Sequence, residues 1–365
     1  MLRNLITLCT LLLSAASALA APSAKWLETT HNFGAFDEDL GPVSCDFLYV
    51  NTSSEPLSIV AARSSCGCTS PVYDRTPVAP GDTGRVHVSY DPAGRPGSFT
   101  KTVSIQFSDS PRPDKLYIKG IVVGSAATVA QRYPAGCTDG LRLSKGVVMA
   151  GEVLKGQMRT AFLDGYNGTT DTIRPVVSGV PAYIEATAEP AAVPPGQQFS
   201  FIFYVRTSKC PLYGVVTDSV TIRPAPGSAD ACTVPVVTLV NEDFSSLSAK
   251  DLAKAPQAAL DTRTIDFDRL SAGPLVRTCT LTNTGKKDLK VRRIYTQDPG
   301  VSATIDSDNI RHGRTATITV TVDPEALAGD ILNARLSLIT NDPANPIQTI
   351  RVVGLPCNYS ADTVR

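Results

Sequence analysis

The sequence is poor in residue types on which many binding and catalytic sites depend. Its 365 residues include three histidines, three methionines and one tryptophan. Basic and acidic residues are equal in number, 34 each, so the net charge is zero. Proteins that bind nucleic acids or anionic membrane surfaces usually carry an excess of positive charge. We therefore expect no nucleic-acid partner and no electrostatic attraction to anionic lipid.

Known catalytic motifs are also missing from the sequence. There is no Gly-x-Ser-x-Gly nucleophile turn, no His-Glu-x-x-His zinc motif and no glycine-rich phosphate loop. The acidic run Asp37-Glu38-Asp39 is interpreted as a solvated loop, because charged residues are rarely buried. These observations predict that the protein is not an enzyme, needs no cofactor and holds no metal.

Long hydrophobic runs are absent except at the N-terminus. Residues 1–20 combine Arg3, an apolar run from Leu5 to Leu13, and a small-x-small cleavage site at Ala18-Leu19-Ala20. This is the pattern of a secretory signal peptide. The run is shorter than the roughly 20 apolar residues of a membrane-spanning helix. We predict an exported protein without a membrane span, located in the periplasm, at the cell surface or outside the cell.

Short strands and turns dominate what the sequence does contain. Proline and glycine are frequent, with 27 and 26 residues, and they separate short runs rich in valine, isoleucine and threonine. Residues 85–90 and 315–322 alternate between apolar and polar side chains. Such alternation is typical of strands with one buried face. The chain is therefore predicted to be all-β.

An internal repeat divides the chain. Asn51 and Asn283 each follow a strand pattern, and Asn167 marks a fainter copy between them. Tyr90-Asp91-Pro92 returns as Val322-Asp323-Pro324. The repeated asparagine is interpreted as a turn residue, chosen for its backbone geometry. About seven short strands in each copy predict three tandem immunoglobulin-like β-sandwiches.

The repeat also sets the predicted domain boundaries. We predict a signal peptide over residues 1–20, sandwiches over 24–124, 129–241 and 262–356, a connector over 242–261, and a C-terminal tail over 357–365. The connector is rich in alanine, serine and lysine, and Ser248 is placed to cap a short helix. From this composition we expect the third sandwich to be hinged.

The most chemically distinctive segment is Ser64-Ser65-Cys66-Gly67-Cys68-Thr69-Ser70. A bridge between Cys66 and Cys68 would need a tight turn at Gly67 and would be easily reduced, which favours a redox role. Alternatively, one of the two thiols bridges to Cys45 and the motif is structural. A soft-metal site is a third interpretation, for which Cys45 and His87 are the local candidate ligands.

Export predicts disulfides among the remaining cysteines, because thiols become oxidised outside the cytoplasm. The candidate disulfide or redox thiols are Cys45, Cys66, Cys68, Cys137, Cys210 and Cys232. Within this set we expect Cys210 to pair with Cys232. Cys137 and the remaining thiol of the motif then either stay free or form an interdomain bridge. Cys279 and Cys357 belong to the third copy.

The order of motifs resembles a known family. Residues 33–120 contain Phe-Gly, Val-x-Cys-x-Phe-x-Tyr-Val-Asn-Thr, Ser-Cys-Gly-Cys-Thr, Tyr-Asp and a closing Lys-Gly. This order resembles the secreted bacterial family called domain of unknown function 1573, which itself resembles the ASH/Hydin-type immunoglobulin-like domains. Residues 265–354 follow the same order without the Cys-Gly-Cys-Thr segment. The resemblance implies an immunoglobulin-like fold and an exported location, but no activity.

Two classes of function follow from these observations. The first is a non-catalytic, exported structural or protein-binding module of the bacterial cell envelope, whose partner is another envelope or surface protein. The alternative is a thiol redox or soft-metal-handling protein centred on Cys66 and Cys68. A carbohydrate-binding module is disfavoured, because Trp26 is the one indole available to stack on a sugar.

Overall fold

The computed structural model describes residues 23–329 and 331–356. These residues form six β-sheets around three hydrophobic cores, which confirms the prediction of an all-β protein of tandem sandwiches. Each core lies within one of the three ranges predicted for the sandwiches. The chain divides into two compact units, residues 1–129 and 130–365. The predicted signal peptide and C-terminal tail lie outside the described residues.

The first unit contains one sandwich of two four-stranded sheets, ordered β1-β3-β6-β5 and β2-β8-β7-β4. Its strands are β1 (Ala24–Trp26), β2 (Thr30–Asp37), β3 (Val43–Asn51), β4 (Ile59–Ser64), β5 (Thr69–Tyr73), β6 (Thr83–Tyr90), β7 (Gly97–Phe107) and β8 (Asp114–Val123), with a 3₁₀ turn over Glu38–Leu40. On β6, Val86, Val88 and Tyr90 are buried while Arg85 is exposed. The alternation of apolar and polar residues in the sequence thus corresponds to a strand with one face buried in the core.

The second sandwich pairs a five-stranded sheet, β14-β15-β12-β10-β9, with a four-stranded sheet, β11-β17-β16-β13. Its elements are α1 (Ala126–Arg132), β9 (Ala135–Gly136), β10 (Leu141–Leu143), β11 (Val148–Leu154), β12 (Met158–Asn167), β13 (Val176–Ser178), β14 (Ile184–Glu189), β15 (Gln198–Arg206), β16 (Gly214–Arg223) and β17 (Cys232–Asn241), with a 3₁₀ turn over Thr207–Lys209. Helix α1 precedes the first of these strands.

The third sandwich follows within the second unit, with sheets ordered β18-β20-β24-β22 and β19-β26-β25-β21-β23. Its elements are α2 (Ala249–Leu252), β18 (Ala258–Leu260), β19 (Thr264–Leu270), β20 (Leu275–Asn283), β21 (Leu289–Tyr295), β22 (Val301–Ile305), β23 (Asn309–Ile310), β24 (Thr315–Val322), β25 (Leu332–Thr340) and β26 (Ile347–Pro356), with a 3₁₀ turn over Pro324–Ala326. Ser248 caps α2, and its hydroxyl accepts a hydrogen bond from the Asp251 N–H.

All three sandwiches share one topological device. In each, an early strand pairs in parallel with the last strand: β2 with β8, β11 with β17, and β19 with β26. The register of each of these early strands shifts once, at a β-bulge. A residue with positive φ lies at each bulge: Gly34, Gly151 and Asp268. Glycine adopts a positive φ without strain, and Asp268 is a short polar residue that tolerates it.

The second and third sandwiches contact each other directly inside the second unit. Arg292 donates to both carboxylate oxygens of Glu242, over 2.8 and 2.6 Å. The Val215 N–H donates to the Tyr295 hydroxyl over 2.9 Å. Gly214 lies so close that an added Cβ would approach Ile339 Cδ1 to 2.4 Å. These contacts overturn the expected hinge, because the third sandwich is held by more than its connector.

Within the described ranges, no helix is both long enough and apolar enough to pass through a lipid bilayer.

Candidate functional site

The Cys-Gly-Cys segment connects the two sheets of the first sandwich. It leaves the end of β4, an edge strand of one sheet, and enters β5, an edge strand of the other. The Ser65 N–H donates to the Thr102 carbonyl on β7 over 2.9 Å. At the other end, the Asp91 N–H donates to the Cys68 carbonyl over 2.9 Å. Backbone hydrogen bonds therefore hold each end of the loop to a different sheet.

Cys66 and Cys68 are joined to each other by a disulfide, with their Cα atoms 5.3 Å apart. The two sulfurs differ in their surroundings. Cys68 is 8% exposed and belongs to the hydrophobic core, whereas Cys66 is half-buried and Gly67 is exposed. The Ser64 hydroxyl donates to the Cys66 carbonyl over 2.8 Å. The loop thus presents one edge of the disulfide to solvent and packs the other.

A buried threonine lies against both sulfurs. Thr69 is 3% exposed, and its Oγ1 lies 3.5 Å from Cys66 Sγ and 3.9 Å from Cys68 Sγ. A disulfide sulfur carries no proton, so a hydrogen bond in either contact is donated by the single hydroxyl proton of Thr69. Sequence reasoning did not identify Thr69 as a site residue, although it directly follows the motif.

The expected bridge from this motif to Cys45 is wrong. Cys45 on β3 and Pro71 on β5 both pair with Val88 on β6, so they lie two strand spacings apart, about 10 Å. Cys68 lies further along the sheet than Pro71. A disulfide needs Cα atoms within about 7 Å, which this geometry does not allow.

Cys45 remains a free, half-buried thiol. Burial raises its pKa to about 12, and the carboxylates of Glu28 and Asp46 add to the increase. At neutral pH the thiol is protonated, and a protonated thiol is a poor nucleophile and a poor metal ligand.

The soft-metal interpretation also fails on the positions of its ligands. His87 pairs with Asp46 across β6 and β3, and its Nδ1 lies 2.7 Å from Asp46 Oδ1 on the outer face. Cys45 precedes Asp46 on β3 and therefore points to the opposite, inner face. The described part of the chain contains no group of three or more His, Cys, Asp or Glu side chains arranged to bind a metal ion.

The second sandwich carries a different disulfide from the one expected. Cys137, after β9, is bonded to Cys232 at the start of β17, so the bridge joins the two sheets of this sandwich. The expected Cys210–Cys232 pair is wrong. In the β16–β17 pairing Gly214 lies opposite Val240 at one end and Ile222 opposite Cys232 at the other. Cys210 precedes Gly214 and is therefore a strand length from Cys232.

The expected bridge between Cys137 and the first sandwich is wrong as well, since Cys137 and both motif cysteines are paired elsewhere. Cys210 is a buried free thiol that donates to the Leu212 carbonyl over 3.6 Å. Cys279 is free and buried, and burial with the nearby Asp261 carboxylate raises its pKa to about 11. Cys357 lies outside the described residues.

A second candidate site is the outer edge of β22 in the third sandwich. Each of the other outermost strands in the described sheets has a feature that discourages pairing, and the parts of β3, β12, β16, β20 and β21 that a short outer strand leaves uncovered include a charged residue. Register shifts occur on β2, β4, β11 and β19, β5 contains Pro71, β14 carries Glu185 and Glu189, and β1, β9, β13, β18 and β23 are two or three residues long. Such features discourage pairing with a further strand.

Strand β22 has none of these protections. Its five residues, Val301 to Ile305, include no proline, no glycine and no charge, and its pairing with β24 is regular. The Gly300 carbonyl accepts a hydrogen bond from the Asp323 N–H, just after β24, and the Asp306 N–H donates to the Thr317 carbonyl on β24. Because bonding alternates along an antiparallel pair, the N–H and C=O of Ala303 point away from β24. The sequence of β22 was readable, but its edge position was not.

The comparisons with known proteins agree with the fold. Residues 24–122 match the family model described as "Protein of unknown function (DUF1573)", and residues 256–355 match the one described as "HYDIN/CFA65/VesB-like, Ig-like domain". The family resemblance read from the motifs is confirmed for both segments. Neither description names an activity.

Solved structures show likeness at low identity. The chain is similar to a protein of unknown function from Porphyromonas gingivalis W83, at 17% identity and a TM-score of 0.48, covering 59% of this chain and 99% of that one. It is also similar to the VesB protease of Vibrio cholerae, at 19% identity and a TM-score of 0.22, covering 27% of this chain and 32% of that one. No curated protein matches the chain.

Proposed function

We propose that this protein is an exported, non-catalytic module of the bacterial cell envelope that binds another envelope protein through the free edge of β22. The observation that carries the proposal is that β22, alone among the outermost strands of the described sheets, has none of the features that discourage pairing at an edge. An exposed edge presents unpaired backbone groups that can accept a strand from a partner.

The backbone groups and side chains of β22 define the kind of partner strand that its edge can bind. The outward N–H and C=O of Ala303 are satisfied by an extended backbone, which adds a fifth strand to the sheet β18-β20-β24-β22. Ser302 and Thr304 are exposed, while Ala303 and Ile305 are half-buried against the core. A bound strand would therefore alternate between apolar and small polar residues. Main-chain bonds supply affinity in this mode, and side-chain fit supplies specificity.

Export is supported by two features of the chain. Residues 1–20 have the pattern of a signal peptide. The two disulfides also belong to a protein that matures in an oxidising compartment. Fractionation of cells that produce the full chain tests this part, and recovery of the uncleaved protein in the cytoplasm would contradict it.

Site-specific photo-crosslinking tests the binding edge. A photoreactive side chain at Thr304 of the full chain, produced in its native cell, is expected to crosslink to one envelope protein. Ala303→Pro removes the outward N–H and should abolish that crosslink, because proline blocks strand pairing at an edge without breaking inward bonds. Ala303→Ser keeps the N–H and serves as the matched control.

Two outcomes would overturn the proposal. One is a crosslink that persists at full yield in a folded Ala303→Pro protein. The other is crosslinking only between two copies of this chain, which would make the edge a self-association surface. Thermal unfolding of each variant establishes that the third sandwich is intact.

A further inference from the structure

The geometry points to a second activity, independent of the β22 edge: the Cys66–Cys68 disulfide exchanges with external dithiols, and Cys66 Sγ is the sulfur that is attacked. The thiol-bearing partner is identified by its chemistry, a pair of thiols able to form a disulfide of their own.

The fold does not depend on this disulfide. The third sandwich builds the same crossing loop at the same spacing, with Asp298 and Gly300 in the places of Cys66 and Cys68. There the Asp323 N–H donates to the Gly300 carbonyl over 2.7 Å, which repeats the bond from Asp91 to Cys68. The Arg335 N–H, donating to the Asp298 carboxylate over 3.1 Å, holds the loop to β25. In the third sandwich, hydrogen bonds alone therefore hold this loop in shape without a disulfide.

The loop closed by the disulfide is also short. Cys66 and Cys68 are separated by two positions, whereas Cys137 and Cys232 are separated by 95. The stabilisation that a disulfide gives by restricting the unfolded chain increases with the length of the closed loop. Reducing Cys66–Cys68 therefore sacrifices little stability, while reducing Cys137–Cys232 releases the two sheets of the second sandwich.

Access decides which sulfur reacts. Cys66 is half-buried beside the exposed Gly67, and a Cβ placed on Gly67 would have no atom within 4 Å, so the approach to this loop is open. Cys68 is packed into the core and is shielded from an incoming thiolate. The Thr69 hydroxyl lies 3.5 Å from Cys66 Sγ and 3.9 Å from Cys68 Sγ, so it can turn its proton to the sulfur that leaves with the negative charge.

The exchange balances with the dithiol as the only co-reactant. A thiolate of the dithiol attacks Cys66 Sγ, the bond between the two protein sulfurs breaks, and Cys68 leaves as a thiolate that then takes up a proton. The second thiol of the partner, deprotonated, attacks the mixed disulfide and releases Cys66 as a thiolate, which is also protonated. The dithiol is oxidised to a disulfide by two electrons, and Cys66–Cys68 is reduced to two thiols.

The other described thiols do not compete with this pair. Cys210 and Cys279 are buried within their sandwiches, and Cys45 is half-buried with its pKa raised by burial. Cys66 is thus the more accessible sulfur of the disulfide, and Cys45, half-buried but held protonated, provides an internal reference thiol.

A reductant titration of the native full chain is the first test. The protein is treated with increasing dithiothreitol, alkylated, and digested so that each cysteine is quantified by mass spectrometry. We expect half-reduction of Cys66–Cys68 at a dithiothreitol concentration at least tenfold below that for Cys137–Cys232. Equal concentrations for the two bridges, or reduction of Cys66–Cys68 only after unfolding, would overturn the inference.

Single variants then identify the attacked sulfur. Cys68→Ser leaves Cys66 alone, and its thiol should react with Ellman's reagent at least tenfold faster than the Cys68 thiol left in Cys66→Ser. Thr69→Val removes the hydroxyl but keeps the shape, and Val301 occupies the same place in the third sandwich. Thr69→Val should slow reduction by dithiothreitol several-fold without changing the unfolding midpoint. Equal thiol reactivity in the two cysteine variants would contradict the assignment of Cys66, and the titration of the unaltered chain stands even if a variant fails to fold.

Discussion

Asn51 Nδ2 donates a hydrogen bond of 2.8 Å to the carbonyl of Val78, which fastens the end of β3 to the segment that leads into β6. A second bond from the same nitrogen reaches the Glu55 carbonyl over 2.8 Å. Its Oδ1 accepts from the N–H and the hydroxyl of Ser53. The Asn51 side chain is 1% exposed, so its carboxamide depends on these partners rather than on water for its hydrogen bonds.

The other two sandwiches repeat this arrangement. Asn167 Nδ2 donates to the Val193 carbonyl over 2.9 Å, and Asn283 Nδ2 donates to the Ile310 carbonyl over 2.8 Å. Both asparagines are fully buried at the ends of strands. The interpretation of the repeated asparagine as a turn residue is confirmed, since in each copy its Oδ1 accepts from the N–H two residues later. The side chain also does more than shape the turn. Its carboxamide is needed, because it bonds two carbonyls of separate chain segments.

The first prediction concerns Asn51. Asn51→Ala removes all the hydrogen bonds that this buried carboxamide makes to Val78, Glu55 and Ser53, which should destabilise the first sandwich by about 2–4 kcal/mol. Hydrogen exchange of peptides from β3 and β6, measured on the full chain, reports this loss locally. Asn32→Ala is the control, since Asn32 is exposed and its bond to the Gly34 N–H faces solvent. If Asn51→Ala loses no more stability than Asn32→Ala, the hydrogen bonds of the Asn51 carboxamide are dispensable.

The second prediction concerns Glu38, which the sequence placed in a solvated loop. The structure buries it, and its carboxylate accepts from the Ser125 N–H over 2.8 Å, the Thr128 hydroxyl over 2.9 Å and the Gly94 N–H over 2.5 Å. Burial alone would raise the pKa of Glu38, but these hydrogen bonds outweigh it and the pKa lies below its ordinary value of 4.5.

A lowered pKa stabilises the folded state wherever the unfolded carboxyl is ionised. The contribution of Glu38 is therefore complete above about pH 5 and is lost as the pH falls through the lower, folded pKa. Glu38→Gln should cost about 2 kcal/mol at pH 7 and progressively less in acid. Urea unfolding of both proteins between pH 7 and pH 3 checks this. Glu55→Gln, at an exposed position, should show no such trend.

The third prediction concerns Gly214, which packs against the third sandwich. Both Gly214 and Gly227 have positive φ, so alanine costs about 1 kcal/mol of backbone strain at either position. Only at Gly214 does the added Cβ also meet Ile339 and Tyr295, while Gly227 has nothing within 4 Å. Gly214→Ala should therefore separate the two sandwiches, and Gly227→Ala should not.

Limited trypsin digestion measures that separation. The connector contains Lys250 and Lys254, and loss of the contact should increase its cleavage rate several-fold in Gly214→Ala. Equal cleavage rates in Gly214→Ala and Gly227→Ala would mean that the connector is protected by its own packing against the third sandwich instead.

The fourth prediction compares the two disulfides. Replacing Cys137 and Cys232 by alanine opens a loop of 95 positions and should destabilise the second sandwich by about 4 kcal/mol. Replacing Cys66 and Cys68 by alanine opens a far shorter loop and should cost about 1–2 kcal/mol in the first sandwich. Hydrogen exchange of each sandwich in the full chain gives both values. A larger loss at the short loop would mark that bridge as structural.

Strand content and repetition were predictable because they depend on local patterns. Alternation along residues 85–90 and 315–322 predicted half-buried strands, and both segments are strands with one buried face. The spacing from Asn51 to Asp91 recurs from Asn283 to Asp323, which predicted two copies of one sandwich. Ser248 predicted the start of a helix, because capping depends on a hydroxyl within hydrogen-bond reach of the first turn.

Cysteine pairing was not predictable, because it depends on which strand ends meet in space. Cys210 and Cys232 looked like a pair along the sequence, but the hairpin of β16 and β17 places them at opposite ends. Cys45 is close to the motif in sequence order, but β6 separates its strand from β5. The buried state of Glu38 was equally hidden, since its hydrogen-bond donors lie far along the chain.

By itself, the sequence determined the all-β class, the tandem repeat and the presence of a distinctive Cys-Gly-Cys loop, since each is encoded in residues close together along the chain. Only the tertiary structure decided that Cys66 bonds Cys68, that Thr69 faces both sulfurs and that β22 has an unprotected edge. The reason is physical: exposure, pairing and edge position are relations between segments brought together by burial of the cores, and no local pattern specifies them.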